Sequence, residues 1–279
     1  MIQEFLDYEQ KIKGLSENTL RAYGEDLRAF ARWATSSGTV CRWSQVRKGD
    51  IDAFTAYRHD LNDKPATLRR RISSIRAFYD YLRKQGKMEH NPARYCEMPK
   101  RERQLPNTID TKAITNLLQD ITKPLALRTI IAILYETGIR ISELTGLEVR
   151  DVDFQRKTLR VYGKGLKGRI VYFDYYTCRL LSLYLSSKQQ RQGIIFAGAD
   201  GCQREIRYQI WRALASSATN GKASPHTIRH TYATRMLEQG MPIQSLQRLM
   251  GHEQITTTEG YLRLTNRTIE KDYKQAVGA

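Results

Sequence analysis

The stretch VDFQRKTLRVYGKGLKGRIVYFD, residues 152–174, is where the chain changes period. Within it TLRVY (158–162) and RIVYF (169–173) are short runs rich in β-branched and aromatic residues, the signature of strands. GKGLKG (163–168) between them is glycine-rich, as a reversal requires, so the stretch reads as a β-hairpin. The sequence on both sides is helical in pattern. The expected fold class is therefore mainly α with a small antiparallel β-sheet, in two regions.

The first region is a series of capped helices. LSENTLRAYGEDLRAFARWA (15–34) places Leu20, Tyr23, Leu27, Phe30 and Ala31 on one face behind a cap at Ser16 or Asn18. GDIDAFTAYRHDL (49–61) repeats the layout with Asp50 as cap. KPATLRRRISSIRAFYDYLRKQG (64–86) does so again, with Leu68, Ile72, Ile75, Phe78, Tyr79 and Leu82 inward and Gly86 as the stop. Arg69, Arg70, Arg71 and Arg76 crowd this last helix. Such a run is often a solvated face, but clustered arginines without neighbouring acids point to phosphate.

HNPARYCEMPKRERQLPNTI (90–109) then breaks the periodicity with three prolines and a burst of charge. The expected division is a helical domain over 1–96, a linker over 97–107 and a second domain over 108–279. In the second domain a helix opens near Asp110, and KPLALRTIIAILYETGIRISELTGLEV (123–149) gives a buried helix, a turn at Gly138 and another helix. From about residue 175 the pattern is helical again.

Composition narrows the partners. Lys and Arg number 46 against 29 Asp and Glu, a formal charge of +17, and the isoelectric point is near 9.8. That balance fits a folded protein that meets a polyanion such as nucleic acid. The chain is long enough to bury a core without metals or disulfides. Cys41, Cys96, Cys178 and Cys202 are far apart, and MIQEFLDYEQKIKG at the start mixes acids into an amphipathic pattern unlike a signal segment. Four free thiols in a reducing cytoplasm follow. The longest apolar run, TIIAILY (129–135), is far shorter than the roughly 18 residues of a membrane span, so no membrane association is expected.

SPHTIRHTYAT (224–234) puts His226 and His230 one helical turn apart with Arg229 between them. A zinc pair of the H-E-x-x-H kind needs a glutamate where Thr227 stands, and Arg229 would oppose a bound cation. No metal is expected. Ser224 suits an N-cap and Pro225 the first helical position, which puts His226 in the first turn, where unpaired N–H groups and the helix dipole attract anions. His226 and Arg229 thus make a phosphate grip, and His230 takes a packing or supporting role. Taken alone, Arg140 reads equally as a partner for Glu143 at i+3, Lys164 as a turn lysine and His252 as a loop histidine. Tyr261 is one of sixteen tyrosines.

Together, however, TGIRISEL, VYGKGLKGR, HTIRHTYATRMLEQG and LMGHEQITTTEGY resemble, in order and spacing, the motifs of the tyrosine recombinase family, the phage-integrase and Xer-type enzymes. By this resemblance the catalytic set falls on Arg140, Lys164, the His226–Arg229 pair, His252 and the nucleophile Tyr261. Met250 stands where the family usually has Leu, a volume-conserving change, and Gly260 before the nucleophile is less usual. SENTLRAYGEDLRAF is similar, less specifically, to the opening of the family's core-binding domain.

The resemblance implies a catalytic domain of the DNA breaking-rejoining type. Arg140 and Arg229 would clamp the scissile phosphate, His226 and His252 would hydrogen-bond to it, and Tyr261 would form a 3′-phosphotyrosyl bond while Lys164 gives the leaving 5′-oxygen its proton. No cofactor, metal or ATP is called for, and cleavage should survive chelation. The implied partners are double-stranded DNA with paired recombination sites, bound by a homotetramer that is monomeric when free. The tail TNRTIEKDYKQAVGA (265–279) would exchange between subunits. The layout resembles the minimal Xer type more than a long phage integrase with an N-terminal arm-binding domain. Two other readings keep DNA and change the product. RMLEQGMPIQSLQRLMG (235–251) has the helix, glycine turn, helix look of a DNA-binding regulator, and a type IB topoisomerase-like enzyme would use the same site. The cellular role, whether dimer resolution, integration or inversion, stays open.

Overall fold

The computed structural model describes residues 1–38, 42–100, 107–163, 168–219 and 221–251. The chain divides into two compact units, Met1–Arg103 and Gln104–Ala279.

The first unit holds α1 (Ile2–Lys13), α2 (Glu17–Ser36), α3 (Lys48–Asp60) and α4 (Pro65–Lys84). Its core is aromatic. Phe5 meets Phe78 edge-on at 5.5 Å and Trp43 meets Phe78 at 4.7 Å, the tilted geometries that the ring quadrupole favours. The six residues expected inward on α4 are all buried.

Caps set the helix starts. Ser16 Oγ accepts the Thr19 N–H, as expected. Asp50 does not cap α3. It sits at the third helical position, where its carboxylate accepts the Arg47 N–H at 2.7 Å, so the helix begins earlier, at Lys48. An acid three residues into a helix serves the same orphan donors as a cap, and sequence pattern does not separate the two positions.

The arginines of α4 have partners inside the unit. Arg69 donates to the Pro99 carbonyl and Arg76 to those of Ala93 and Cys96. Arg70 and Arg71 both donate to Asp26, and Arg71 also reaches Asp63 at 2.8 Å. The acids were not neighbours in sequence but lie on α2 and beyond α3. The expectation of four phosphate-facing arginines thus meets four guanidinium groups with internal bonds.

The second unit packs α5 (Thr111–Gln119), α6 (Leu125–Thr137), α7 (Ile141–Thr145), α8 (Tyr175–Ser187) and α9 (Gln203–Leu214) around a three-stranded antiparallel sheet of order β1-β2-β3. The strands are β1 (Val152–Asp153), β2 (Thr158–Tyr162) and β3 (Gly168–Tyr172). The hairpin expected from the change of period is β2–β3, with Leu159 opposite Val171 and Val161 opposite Arg169. Helix α6, apolar nearly all round, is the spine of this core, with Ile131, Ile133 and Leu134 fully buried. The unit continues through α10 (Pro225–Glu238) and α11 (Ile243–Met250), joined by a cluster of Tyr232, Ala233, Leu237, Leu246 and Met250. The molecule is mainly α with a small antiparallel sheet. Among the described residues no helix is long and apolar enough to cross a membrane.

Candidate active site

Helix α6 ends at Gly138, whose φ of 60° lies in the left-handed region. A Cβ there would stand 2.3 Å from Tyr232 Cδ1, so both backbone and space demand glycine. Two residues later Arg140 caps α7. Its own N–H donates to Glu143 Oε2 at 2.8 Å and its Nη1 to Glu143 Oε1 at 3.1 Å. Its Nη2 donates to the Gly251 carbonyl at 3.1 Å, and its side chain remains 42% exposed.

Arg229 comes to the same place from α10. It is 3% exposed and donates through Nη1 to the Gly138 carbonyl at 2.5 Å and through Nη2 to the Met250 carbonyl at 2.6 Å. Ser224 Oγ accepts the Thr227 N–H at 3.1 Å and Pro225 opens the helix, so the expected anion-favouring N-terminus exists. His226 is exposed in its first turn. Its imidazole is held below its ordinary pKa, chiefly by partial burial and then by the charges of Arg229 and Arg140. This favours the neutral ring, which donates one hydrogen bond and accepts another. The His230 ring stands edge-on to it at 4.2 Å, the supporting contact expected for that residue.

A third arginine was not foreseen. Arg169 leaves β3 and grips Glu143 with both terminal nitrogens, each at 2.8 Å, while its Nε donates to the Leu249 carbonyl at 2.6 Å. The signal was in the sequence, because RIVYF puts Arg169 on the same strand face as Val171, which is buried. A charged residue at an inward strand position needs a buried partner. Here the partner is Glu143, whose carboxyl is raised by burial but lowered more by Arg169 and Arg140, for a net shift downward.

The three arginines thus bind three successive carbonyls, Leu249, Met250 and Gly251, at the C-terminal end of α11. A helix end leaves such carbonyls without intrahelical partners and carries negative dipole charge, so cations from outside are favoured there. Gly251 closes the helix with φ of 62°. Among the described residues Arg140, His226 and Arg229 come together. Lys164, His252 and Tyr261 lie outside them, as does the tail from residue 265, although β2 and β3 flank the first and Gly251 directly precedes the second. Cys96, Cys178 and Cys202 are free thiols, and Cys41 lies outside the described residues. No group of three metal-ligating side chains converges among the described residues.

Residues 107–267 match the phage integrase family and residues 2–86 the family's N-terminal SAM-like domain. The chain is 33% identical to the tyrosine recombinase XerD of Listeria innocua, over 99% of this chain and 97% of the relative. It is 29% identical to the tyrosine recombinase XerC of Pediococcus pentosaceus, over 99% and 97%. In fold it is similar to the XerH site-specific recombinase in a post-cleavage complex with its palindromic difH substrate, at TM-score 0.77 and 17% identity over 98% of this chain and 84% of that one. The transposon Tn1549 integrase in complex with a circular intermediate DNA gives 0.75 at 18% identity, over 98% of each chain.

Proposed function

The chain belongs to the phage integrase family, the tyrosine recombinases, which cleave and rejoin DNA at specific sites, and from that premise we propose that Arg140, His226 and Arg229 hold the scissile phosphate for attack by Tyr261. The regulator and topoisomerase-like readings have no support among the relatives. The observation that carries the proposal is the convergence of two guanidinium groups and a neutral imidazole at the mouth of a helix N-terminus.

Charge builds on the non-bridging oxygens as the pentavalent transition state forms, and donors already held in place stabilise it without reorganising. Arg229 is held in that way by two carbonyls, and Arg140 by the Gly251 carbonyl together with Glu143, a single carboxylate that it shares with Arg169, so the three arginines keep net positive charge. Tyr261, whose ordinary hydroxyl pKa is near 10, becomes a useful nucleophile when a phosphate so clamped lies in line with it. Its oxygen bonds to phosphorus, the bond to the 5′-oxygen breaks, and Lys164, which falls between β2 and β3 in sequence, gives that oxygen a proton. His252 follows the Gly251 cap and supplies a further hydrogen bond to the phosphate. No nucleotide or metal enters the scheme, because the phosphotyrosyl ester retains the energy needed to rejoin the strands.

The partner is DNA carrying paired sites. Exchange between two duplexes breaks both strands of each, so we place one copy of the chain at every strand, a tetramer on DNA with single copies before it forms. The reaction is cytoplasmic in this reading, with 265–279 contacting a neighbouring copy. In the first unit the internal bonds of Arg69, Arg70, Arg71 and Arg76 support a bracing role for α4 beside its place against DNA.

A nicked suicide duplex incubated with the protein in EDTA tests the nucleophile. Wild type is expected to give a denaturation-resistant protein–DNA adduct and Tyr261→Phe none. An adduct from Tyr261→Phe, or none from wild type on its own site, overturns the assignment.

A further inference from the structure

We propose that Arg169 is a positioning residue for strand cleavage, which sets the arginine cradle of the active site from the hairpin side. The proposal rests on the assignment of Arg140 and Arg229 to the scissile phosphate.

The argument starts from what Arg169 touches. Its two terminal nitrogens take both oxygens of Glu143, and Glu143 in turn accepts the Arg140 backbone N–H and the Arg140 Nη1. Arg169 therefore fixes the carboxylate that fixes Arg140. Its Nε takes the Leu249 carbonyl, one residue before the carbonyl held by Arg229 and two before that held by Arg140. The same side chain thus sets the end of α11, to which both clamp arginines are tied.

The chemistry explains the choice of residue. A planar guanidinium spans a carboxylate bidentately and still presents Nε to a third acceptor, whereas an ammonium is a point charge with no such fork. Its side chain is 13% exposed and that of Glu143 3%, so the pair is shielded from competing water. Gly251 completes the arrangement, since a Cβ there would come within 3.0 Å of Arg169 Nη1. Arg169 itself is placed by strand register, opposite Val161 on the inward face of the sheet. It lies five residues after Lys164 in sequence, and β3 carries it into the cradle that holds the phosphate.

A bond of this kind could simply stabilise the fold, or it could act through Lys164. The test separates these roles. Arg169→Met and Arg169→Lys are compared with wild type and Lys164→Ala in single-turnover cleavage of the nicked duplex at saturating protein. Each is measured on a normal substrate and on one whose leaving 5′-oxygen is replaced by sulfur. Binding and thermal melting are recorded in parallel. A thiolate leaves without a proton, so the sulfur substrate should restore cleavage to Lys164→Ala.

For Arg169→Met the expected result is cleavage about 10- to 100-fold slower, the scale of a misplacement near 1 Å at the reacting groups. The loss should be the same factor on both substrates, with duplex affinity unchanged. Arg169→Lys should keep part of the loss despite keeping the charge. Wild-type rates on the normal substrate from both folded variants would overturn the proposal, as would recovery of Arg169→Met on the sulfur substrate. If Arg169→Met does not fold, Arg169→Lys decides by the same criteria. Absence of adduct in the wild type would instead overturn the nucleophile assignment.

Discussion

In the first unit Arg70 and Arg71 meet Asp26, and Arg58 and Arg71 meet Asp63; in the second, Arg229 ends on two carbonyls while Arg140 and Arg169 share Glu143. A carboxylate partner cancels a guanidinium's charge as well as satisfying its N–H groups. A carbonyl satisfies the N–H groups and leaves the charge to act on whatever anion arrives. Both units build with partly or fully buried arginine, yet the first sets two carboxylates, Asp26 and Asp63, against Arg58, Arg70 and Arg71, whereas the second sets Glu143 alone against Arg140, Arg169 and Arg229 and so leaves more positive charge for phosphate. Within the first unit the two acids differ. Arg58 and Arg71 hold the Asp63 carboxyl below its usual range, whereas burial raises that of Asp26 in spite of two arginines.

The largest effect should come from Arg229→Ala. Removal of one preorganised donor to a developing oxyanion slows chemistry by about 100- to 1,000-fold, read as single-turnover adduct formation at saturating DNA. Arg71→Ala should lower the melting temperature, since a buried pair broken on one side costs roughly 3–5 kcal/mol, while cleavage at a temperature where the fold persists stays near wild type. Similar losses of cleavage from the two variants would break the comparison.

Gly138→Ala should come next. Its Cβ would collide with Tyr232 and its backbone would sit at positive φ, which costs about 1–3 kcal/mol by overpacking and is read as a lower melting temperature with slower cleavage. Wild-type values for both would mean that the turn joining α6 to Arg140 is not tightly fitted.

A smaller effect is expected in the titration of His226, followed by imidazole NMR. Its midpoint should fall below 6.5, the ordinary value, and rise toward it in Arg140→Ala. The sign for stability follows. With the folded pKa depressed, the unfolded chain binds the proton more readily, so stability rises with pH between the depressed value and 6.5 and levels off above. A midpoint above 6.5 would show that the arginine charges do not reach His226. The smallest effect belongs to Arg70→Gln. With its side chain 39% exposed, the pair is worth at most about 1 kcal/mol, and duplex affinity should be little changed. A large loss of affinity would return Arg70 to direct contact with phosphate.

How much of this could be read beforehand depended on distance along the chain. The β2–β3 hairpin, the Ser16 and Ser224 caps and the buried faces of α4 and α6 follow from neighbours within a few residues, and the pattern carries them. Asp50 was misplaced by three positions because an acid at the cap and one in the first turn satisfy the same donors. Asp26 and Asp63 were invisible as partners of the α4 arginines because folding, not spacing, brings them near. His226 and Arg229 follow from the helix start at Ser224 and Arg140 from motif order, while the shared anchor of the two arginines at the end of α11 required the fold. Arg169 was legible in principle as a charge at an inward strand position, but no sequence pattern pairs it with Glu143.

The central claim is that the positioned charge of Arg140 and Arg229 stabilises the phosphate during cleavage. Its most direct test is single-turnover cleavage by Arg140→Ala of a duplex whose scissile phosphate is a methylphosphonate, which lacks one non-bridging oxygen's charge. Arg140 is the more exposed of the two clamp arginines, so its removal disturbs the core least. The account predicts a large defect on the normal phosphate and a much smaller one on the methylphosphonate. A defect equal on both substrates would contradict it.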